Sequence, residues 1–211
     1  MEPFYRIQWH LLRLVARVYF RFAIRGEENV PPTGAVLFAV NHNSFLDPPI
    51  VAIGLPRQAA FLAKEEMFKF PLFRWWFRSV GVYPVGRHRG DAKAVKLAVR
   101  LLKEGNGLAL FPEGTRSLDG NLLPFENGLS WLSLKLDAPI VPIYLDGTFN
   151  AMPKGNWFPR PYRIVMTIGK PIAPQEKKNI DDFDEALNKL TERLKNEIES
   201  MKIEFKRKTG S

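Results

Sequence analysis

The chain has 211 residues, a net charge of +9 and no cysteine. That length suits one domain with a full core, and the missing cysteine excludes a disulfide framework, a thiolate nucleophile and a Cys-based zinc site. The excess of Lys and Arg, on an ordinary 45% hydrophobic content, points to an anionic partner and leaves nucleic acid, acidic lipid and phosphorylated substrates open.

The first element runs over 8–22, where Leu, Val, Tyr and Phe are interrupted by His10, Arg13, Arg17 and Arg21. It therefore holds neither an uncharged signal-peptide core nor a span of ~20 apolar residues. Wound as a helix, Arg6, His10, Arg13, Arg17 and Arg21 form one stripe, with Phe4, Leu11, Val15, Val18 and Phe22 opposite and Leu12 and Tyr19 widening that side. Two readings fit this pattern. The helix lies in a membrane interface with its arginines toward anionic headgroups, or it packs its apolar side on the protein's own core. Residues 25–34 are polar and Pro-containing and read as a connector. The expected organisation is an amphipathic helical segment over 1–25 and a single domain over 26–211.

An alternating pattern follows. An apolar strand over 35–40 ends at Asn41-His42, and Asp47-Pro48-Pro49 opens a helix to 55, with Asp47 as its N-cap and Pro in the first turn. Strands are predicted over 59–63 and 82–85, with a helix over 70–79 between them. A helix over 91–104, a strand over 107–111, a helix over 127–136 and strands over 140–145 and 163–168 come next. The last helix spans 181–201, where Phe183, Leu187, Leu190, Leu194, Ile198 and Met201 recur at helical spacing, and the basic tail from Lys206 to Lys208 reads as a disordered end. Strands alternating with helices predict an α/β fold with a mixed, largely parallel sheet, and in such sheets ligands bind beyond the C-terminal ends of the strands.

That rule organises the polar residues. His42, Lys64, Arg87, and Glu113 with Arg116 each follow a different predicted strand. An imidazole accepts a hydroxyl proton near neutral pH when one ring nitrogen is free and a carboxylate on the other fixes the tautomer, and the five-residue step from His42 to Asp47 permits this across a turn. Read structurally instead, Asp47 only caps its helix and His42 is a loop histidine. In Phe111-Pro112-Glu113-Gly114-Thr115-Arg116, Gly114 permits close backbone approach and Arg116 offers a planar fork suited to phosphate. A carboxylate beside a phosphate is repulsive, so Glu113 is expected to accept a substrate hydroxyl or to orient Arg116 or Arg87.

The blocks Asn41 to Pro48 (NHNSFLDP), Gly81 to Arg87 (GVYPVGR), Phe111 to Ser117 (FPEGTRS) and Val141 to Gly147 (VPIYLDG) stand in the order and approximate spacing of the four blocks of the glycerolipid acyltransferases. The chain resembles the bacterial members of that family that acylate 1-acyl-glycerol-3-phosphate, over roughly residues 35–171. The resemblance implies His42 as catalytic base with Asp47 as its partner, and Arg87, Glu113, Gly114, Thr115 and Arg116 as the binding site for glycerol phosphate. Lys64 matches a lysine of similar role. It also implies an acyl-CoA or acyl-carrier-protein donor, phosphatidic acid as product, no cofactor and no metal, and a peripheral or monotopic place on the cytoplasmic face of a bacterial inner membrane. Two positions depart from the family pattern: Gly86 stands where an acidic residue is common, and Glu126 where a cation is common.

A glycerol hydroxyl attacking a thioester needs a base, while the thiolate leaves without strong acid help. No Gly-x-Ser-x-Gly elbow surrounds Ser44, so direct transfer without an acyl-enzyme is expected. Amides near Gly114 are candidates for the oxyanion site. A bilayer substrate favours the interfacial reading of the N-terminal helix, with further contacts expected from Phe68, Phe70, Phe73, Trp75, Trp76 and Phe77 flanked by Lys69, Arg74 and Arg78, and from Trp157 to Arg160. Membrane lipids, lysophosphatidic acid and anionic phospholipids among them, are thus the expected partners. Three other readings use less of the sequence. A silent lipid binder has no need of His42 with Asp47, a nucleic-acid binder wants a continuous basic stripe, and a metal phosphohydrolase using His42, Asp47 and His88 wants denser ligand spacing.

Overall fold

Every residue of β2 (Val36–Val40) is buried, which requires that both faces of its sheet be covered. Val36, Phe38 and Val40 point into one core layer and Leu37 and Ala39 into the other, as the two-residue period of a strand dictates. In the computed structural model, residues 3–68, 77, 81–86, 92–153, 155–156, 158–174 and 182–210 are described. The other strands are β1 (Ala23–Arg25), β3 (Ala59–Lys64), β4 (Val82–Val85), β5 (Gly107–Leu110), β6 (Ile140–Asp146) and β7 (Val165–Ile168). They form one seven-stranded sheet in the order β1-β7-β6-β2-β5-β3-β4. β6, β2, β5, β3 and β4 run parallel, while β7 is antiparallel to β6 and parallel to β1. The mixed, largely parallel sheet expected from the alternation is therefore present.

Helices α1 (Pro3–Tyr19) and α2 (Asp47–Gly54) cover one face, where Ala16, Phe20, Ile50 and Val51 meet Phe38, Ile143 and Met166. Helices α3 (Ala92–Lys103), α4 (Gly128–Leu136) and α6 (Phe183–Thr209) cover the other, with Leu101, Leu102, Leu132, Leu194 and Ile198 against Leu37, Leu108 and Ile140. A single turn, α5 (Thr148–Ala151), follows β6. The helix predicted over 70–79 lies outside the described residues except Phe77, which is helical. Among the described residues no helix is long and apolar enough to cross a membrane.

Three departures from the sequence reading have physical causes. The connector from residue 25 hides the end of β1, a strand too short to show a period, and a short 3-10 turn (Glu27–Asn29). The segment 1–25 thus contains both α1 and an edge strand of the sheet. The basic tail is helical to Thr209, not disordered: Phe205 is buried with its ring 6.1 Å from that of Tyr144 and beneath the Arg25 guanidinium. Lys206, Arg207 and Lys208 in the last turn complement the helix dipole, and Gly210, in the left-handed region at φ 68°, caps it by donating its N–H to Lys206 O.

The third departure concerns α1. Its arginine stripe is not wholly exposed, because Arg13 is buried and engages Glu27. Nor does its apolar stripe face the core. Trp9, Arg13, Ala16 and the following Phe20 turn inward, Trp9 donating from Nε1 to Leu55 O at 3.1 Å. Ile7, Leu11, Leu14, Val15 and Val18 are all more than half exposed. Phe22, assigned to the same stripe by the sequence pattern, lies beyond the helix and is buried in the core.

Candidate active site

The strand order places the predicted strand-end sites after β2, β5 and β3 side by side. β2, β5, β3 and β4 are consecutive parallel neighbours, so the residues after them share one edge of the sheet. His42 follows β2, Glu113 to Arg116 follow β5, and Lys64 ends β3 with its side chain outside what the structure describes. Arg87, two positions past β4, also lies outside the described residues, as do Lys69, Phe70, Phe73, Arg74, Trp75, Trp76, Arg78, His88 and Trp157.

The turn between β2 and α2 wraps around one carboxylate. Asp47 is fully buried, and its Oδ2 accepts from the backbone amides of Asn43 at 2.6 Å and Ser44 at 2.7 Å and lies 2.8 Å from His42 Nδ1. Three donors on one oxygen offset the cost of burying its charge. Asp47 is not the N-cap of α2, because it sits inside the first turn and its side chain reaches back to amides that precede the helix. Pro48 and Pro49 in that first turn lack N–H groups and lose nothing there. With Nδ1 held by Asp47, Nε2 is the ring nitrogen left for chemistry. The imidazole also stacks on Phe111, ring centres 4.0 Å apart, which fixes its plane.

Asn41 and Ser44, to which the sequence reading gave no positive role, position this turn. Asn41 is buried, donates from Nδ2 to Leu145 O at 3.0 Å and accepts Leu145 N–H at 2.7 Å, clamping the end of β2 to β6. Ser44 is buried, and its hydroxyl donates to Met152 O at 2.7 Å and accepts from Leu46 N at 3.1 Å. A buried, fully engaged hydroxyl is a poor nucleophile.

Glu113 is buried, with Oε1 accepting His42 N–H at 2.8 Å and Oε2 accepting Leu123 N–H at 2.9 Å. Burial raises its pKa, opposed by those two amides and by His42. Its carboxylate thus joins the His42 turn to the loop after β5, which a second bond from Ser117 N–H to His42 O at 2.8 Å reinforces. Arg116 lies over the Phe45 ring, its guanidinium carbon 3.5 Å from the ring centre, and its buried Nη1 has no partner among the described residues. Burial lowers its pKa from the ordinary value, with the Asp47 charge opposing. Gly114 and Thr115 are exposed on the site's surface. The Gly114 N–H, in the stretch named for the oxyanion, donates to Phe111 O at 3.0 Å, and the residue's φ of 65° is one that glycine adopts without strain.

An apolar cleft of about 390 Å³ opens on the α3 and α4 side and is lined by Leu62, Val95, Phe111, Leu129, Trp131 and Leu132, with Gly114 and Glu126 among its other walls. Phe111 is shared between this cleft and the His42 ring, so the apolar wall reaches the imidazole. Among the described residues no three His, Asp or Glu side chains converge as a metal-binding group.

The sequence model of the Acyltransferase family matches residues 21–146. A chloroplastic 1-acyl-sn-glycerol-3-phosphate acyltransferase of Brassica napus is 34% identical over 180 residues, 83% of this chain and 52% of the plant protein. A 1-acyl-sn-glycerol-3-phosphate acyltransferase of Bacillus subtilis is 24% identical over 204 residues, 93% of this chain and 100% of the bacterial one. The chain spans about half the length of the plant relative and the whole length of the Bacillus one. Among solved structures, the 1-acyl-sn-glycerophosphate acyltransferase PlsC of Thermotoga maritima superposes with a TM-score of 0.76 at 28% identity, covering 92% of this chain and 78% of that one.

Proposed function

Because the chain belongs to the acyltransferase family, we propose that it moves a fatty acyl group from an acyl thioester to the sn-2 hydroxyl of 1-acyl-glycerol-3-phosphate, giving phosphatidic acid. The donor is acyl-CoA or acyl-carrier protein. The observation that carries this reading is the 2.8 Å contact from His42 Nδ1 to buried Asp47 beside an arginine fork whose Nη1 has no partner among the described residues. A base and an anion site on one sheet edge suit an acceptor bearing both a hydroxyl and a phosphate.

In the proposed reaction His42 Nε2 takes the hydroxyl proton as the oxygen attacks the thioester carbonyl, and Asp47 stabilises the imidazolium. The tetrahedral intermediate collapses with cleavage of the C–S bond, and Nε2 returns the proton to the departing thiolate. Transfer is direct, since Ser44 is committed to Met152 and Leu46. Arg116, with Gly114 and Thr115 at the surface beside it, receives the phosphate, joined by Arg87 and Lys64 from the neighbouring strand ends. Glu113 acts by holding the His42 backbone. The apolar cleft beside Phe111 takes an acyl chain.

The substrate lives in a bilayer, and we read the exposed stripe of α1 as the surface that enters it, making the protein monotopic. Phe158 is 85% exposed and lies next to Pro159, whose carbonyl accepts from Tyr19 Oη at 2.9 Å, so it extends that surface at the C-terminal end of α1. Supplying lysophosphatidic acid in liposomes with either donor should yield phosphatidic acid, and His42→Ala should lower the rate by about 10²–10⁴-fold. No product from the unmodified chain with either donor would refute the assignment, and a stoichiometric acyl-enzyme by intact mass would refute direct transfer.

A further inference from the structure

A second cleft, polar and of about 300 Å³, lies on the flank of α1 and is lined by Trp9, His10, Arg13, Leu14, Arg17 and Glu27. Its inner wall is Arg13, only 8% exposed. One Nη of Arg13 engages Glu27, its guanidinium carbon lies 4.5 Å from the centre of the Trp9 ring, and its buried Nε has no acceptor among the described residues. Buried donors in folded proteins are normally satisfied, so this one marks unmet demand for an acceptor. The lining holds His10, Arg13 and Arg17 against a single carboxylate, and Glu27 is already committed to Arg13. An anion is the ligand this lining fits.

Position narrows the source of that anion. Leu14 belongs to the lining and also to the exposed apolar stripe with Ile7, Leu11 and Val18. A ligand that joins a phosphate to apolar chains meets both surfaces at once. We propose that this cleft holds the headgroup phosphate of an anionic membrane phospholipid that is not the acyl acceptor, gripped by Arg13, Arg17 and His10, with its chains running along the α1 stripe. The inference rests on the membrane-facing reading of α1 given above. It assigns α1 a headgroup site in addition to general attraction.

Arg17→Gln and Arg6→Gln separate the two. Both remove one positive charge from exposed helix positions, but only Arg17 lines the cleft. General attraction to an anionic surface, about fivefold per basic residue, is lost equally in both. On phosphatidylglycerol-containing vesicles R17Q should bind about tenfold more weakly than R6Q, the effect of losing charge-assisted hydrogen bonds, and on pure phosphatidylcholine the two should match. Equal binding on phosphatidylglycerol overturns the site. If inorganic phosphate raises the melting temperature of the unmodified chain but not of R17Q, while the vesicle difference is absent, the cleft takes free phosphate and the lipid assignment falls. Acyl transfer in detergent micelles should be the same for R17Q and the unmodified chain. Loss of that activity in the unmodified chain strikes the proposed function, whereas loss of the R17Q–R6Q difference strikes only the cleft.

Discussion

At the scale of single residues, Asp47 does two things with one oxygen. Its Oδ2 closes the turn through Asn43 and Ser44 and holds His42 Nδ1, while Oδ1 is buried without a partner among the described residues. Asp47→Asn with its amide oxygen in the place of Oδ2 keeps all three acceptor contacts and puts the NH₂ in the place of Oδ1, which has no partner among the described residues. The turn survives with modest loss, but the negative charge that stabilises the imidazolium is gone. We expect kcat to fall by about 10³-fold with KM nearly unchanged, measured by steady-state acyl transfer. A variant that keeps its rate would show that Asp47 serves only the turn. Glu113 makes a different prediction. Glutamine accepts from only one of the amides of His42 and Leu123 and opposes the other with its NH₂, a cost of about 1–3 kcal/mol. Burial raises the folded pKa of Glu113, so its contribution to stability is full below the unfolded pKa and is lost as pH rises through the folded one. The stability gap between E113Q and the unmodified chain should therefore narrow as pH increases from acid toward neutral, as read from urea midpoints. A widening gap would mean that the two amides outweigh burial.

At the scale of elements, what the sequence revealed and what it hid follow from the length of each pattern. Strands β2 to β7 and helices α3 and α4 were legible because each carries several apolar residues at a clear period between turn signals. Three-residue β1 offers no period to read, and the end of α6 was obscured because Lys206, Arg207 and Lys208 look like a solvated tail when Phe205 is not seen packing on the sheet. His42 with Asp47 could be read from spacing alone. The clamps could not, since Asn41 reaches Leu145 and Ser44 reaches Met152 across more than a hundred residues. Phe205 supplies the test at this scale: Phe205→Ala should cost about 3 kcal/mol, lowering the urea midpoint without changing its slope. A shift below about 0.5 kcal/mol would place the residue in the range of free surface positions.

At the scale of the whole molecule, the direction α1 faces decides how the chain would meet the proposed acceptor. Sequence periodicity showed an amphipathic helix but could not say which side met the protein. The fold resolves this in an unusual way: an arginine and a tryptophan pack inward, and five aliphatic residues face out. Folding gains little from those largely exposed side chains, so their removal separates stability from membrane binding. Replacing Ile7, Leu11 and Val18 together with serine should change the melting temperature little, because surface substitutions fall within about 0.5 kcal/mol each. In a bilayer interface each such side chain contributes up to about 1.5–3 kcal/mol when fully buried, so even half that burial predicts a loss of vesicle affinity of more than about 10-fold. Activity should divide in the same way. Turnover of lysophosphatidic acid presented in vesicles should fall with vesicle binding, while turnover of a short-chain, water-soluble acceptor should persist, because the His42 turn, Glu113 and Arg116 lie beyond β2 and β5 and the three replaced residues are exposed on α1. Equal loss on both acceptors would mean that the stripe supports the catalytic edge itself, and unchanged cosedimentation would remove α1 from the membrane.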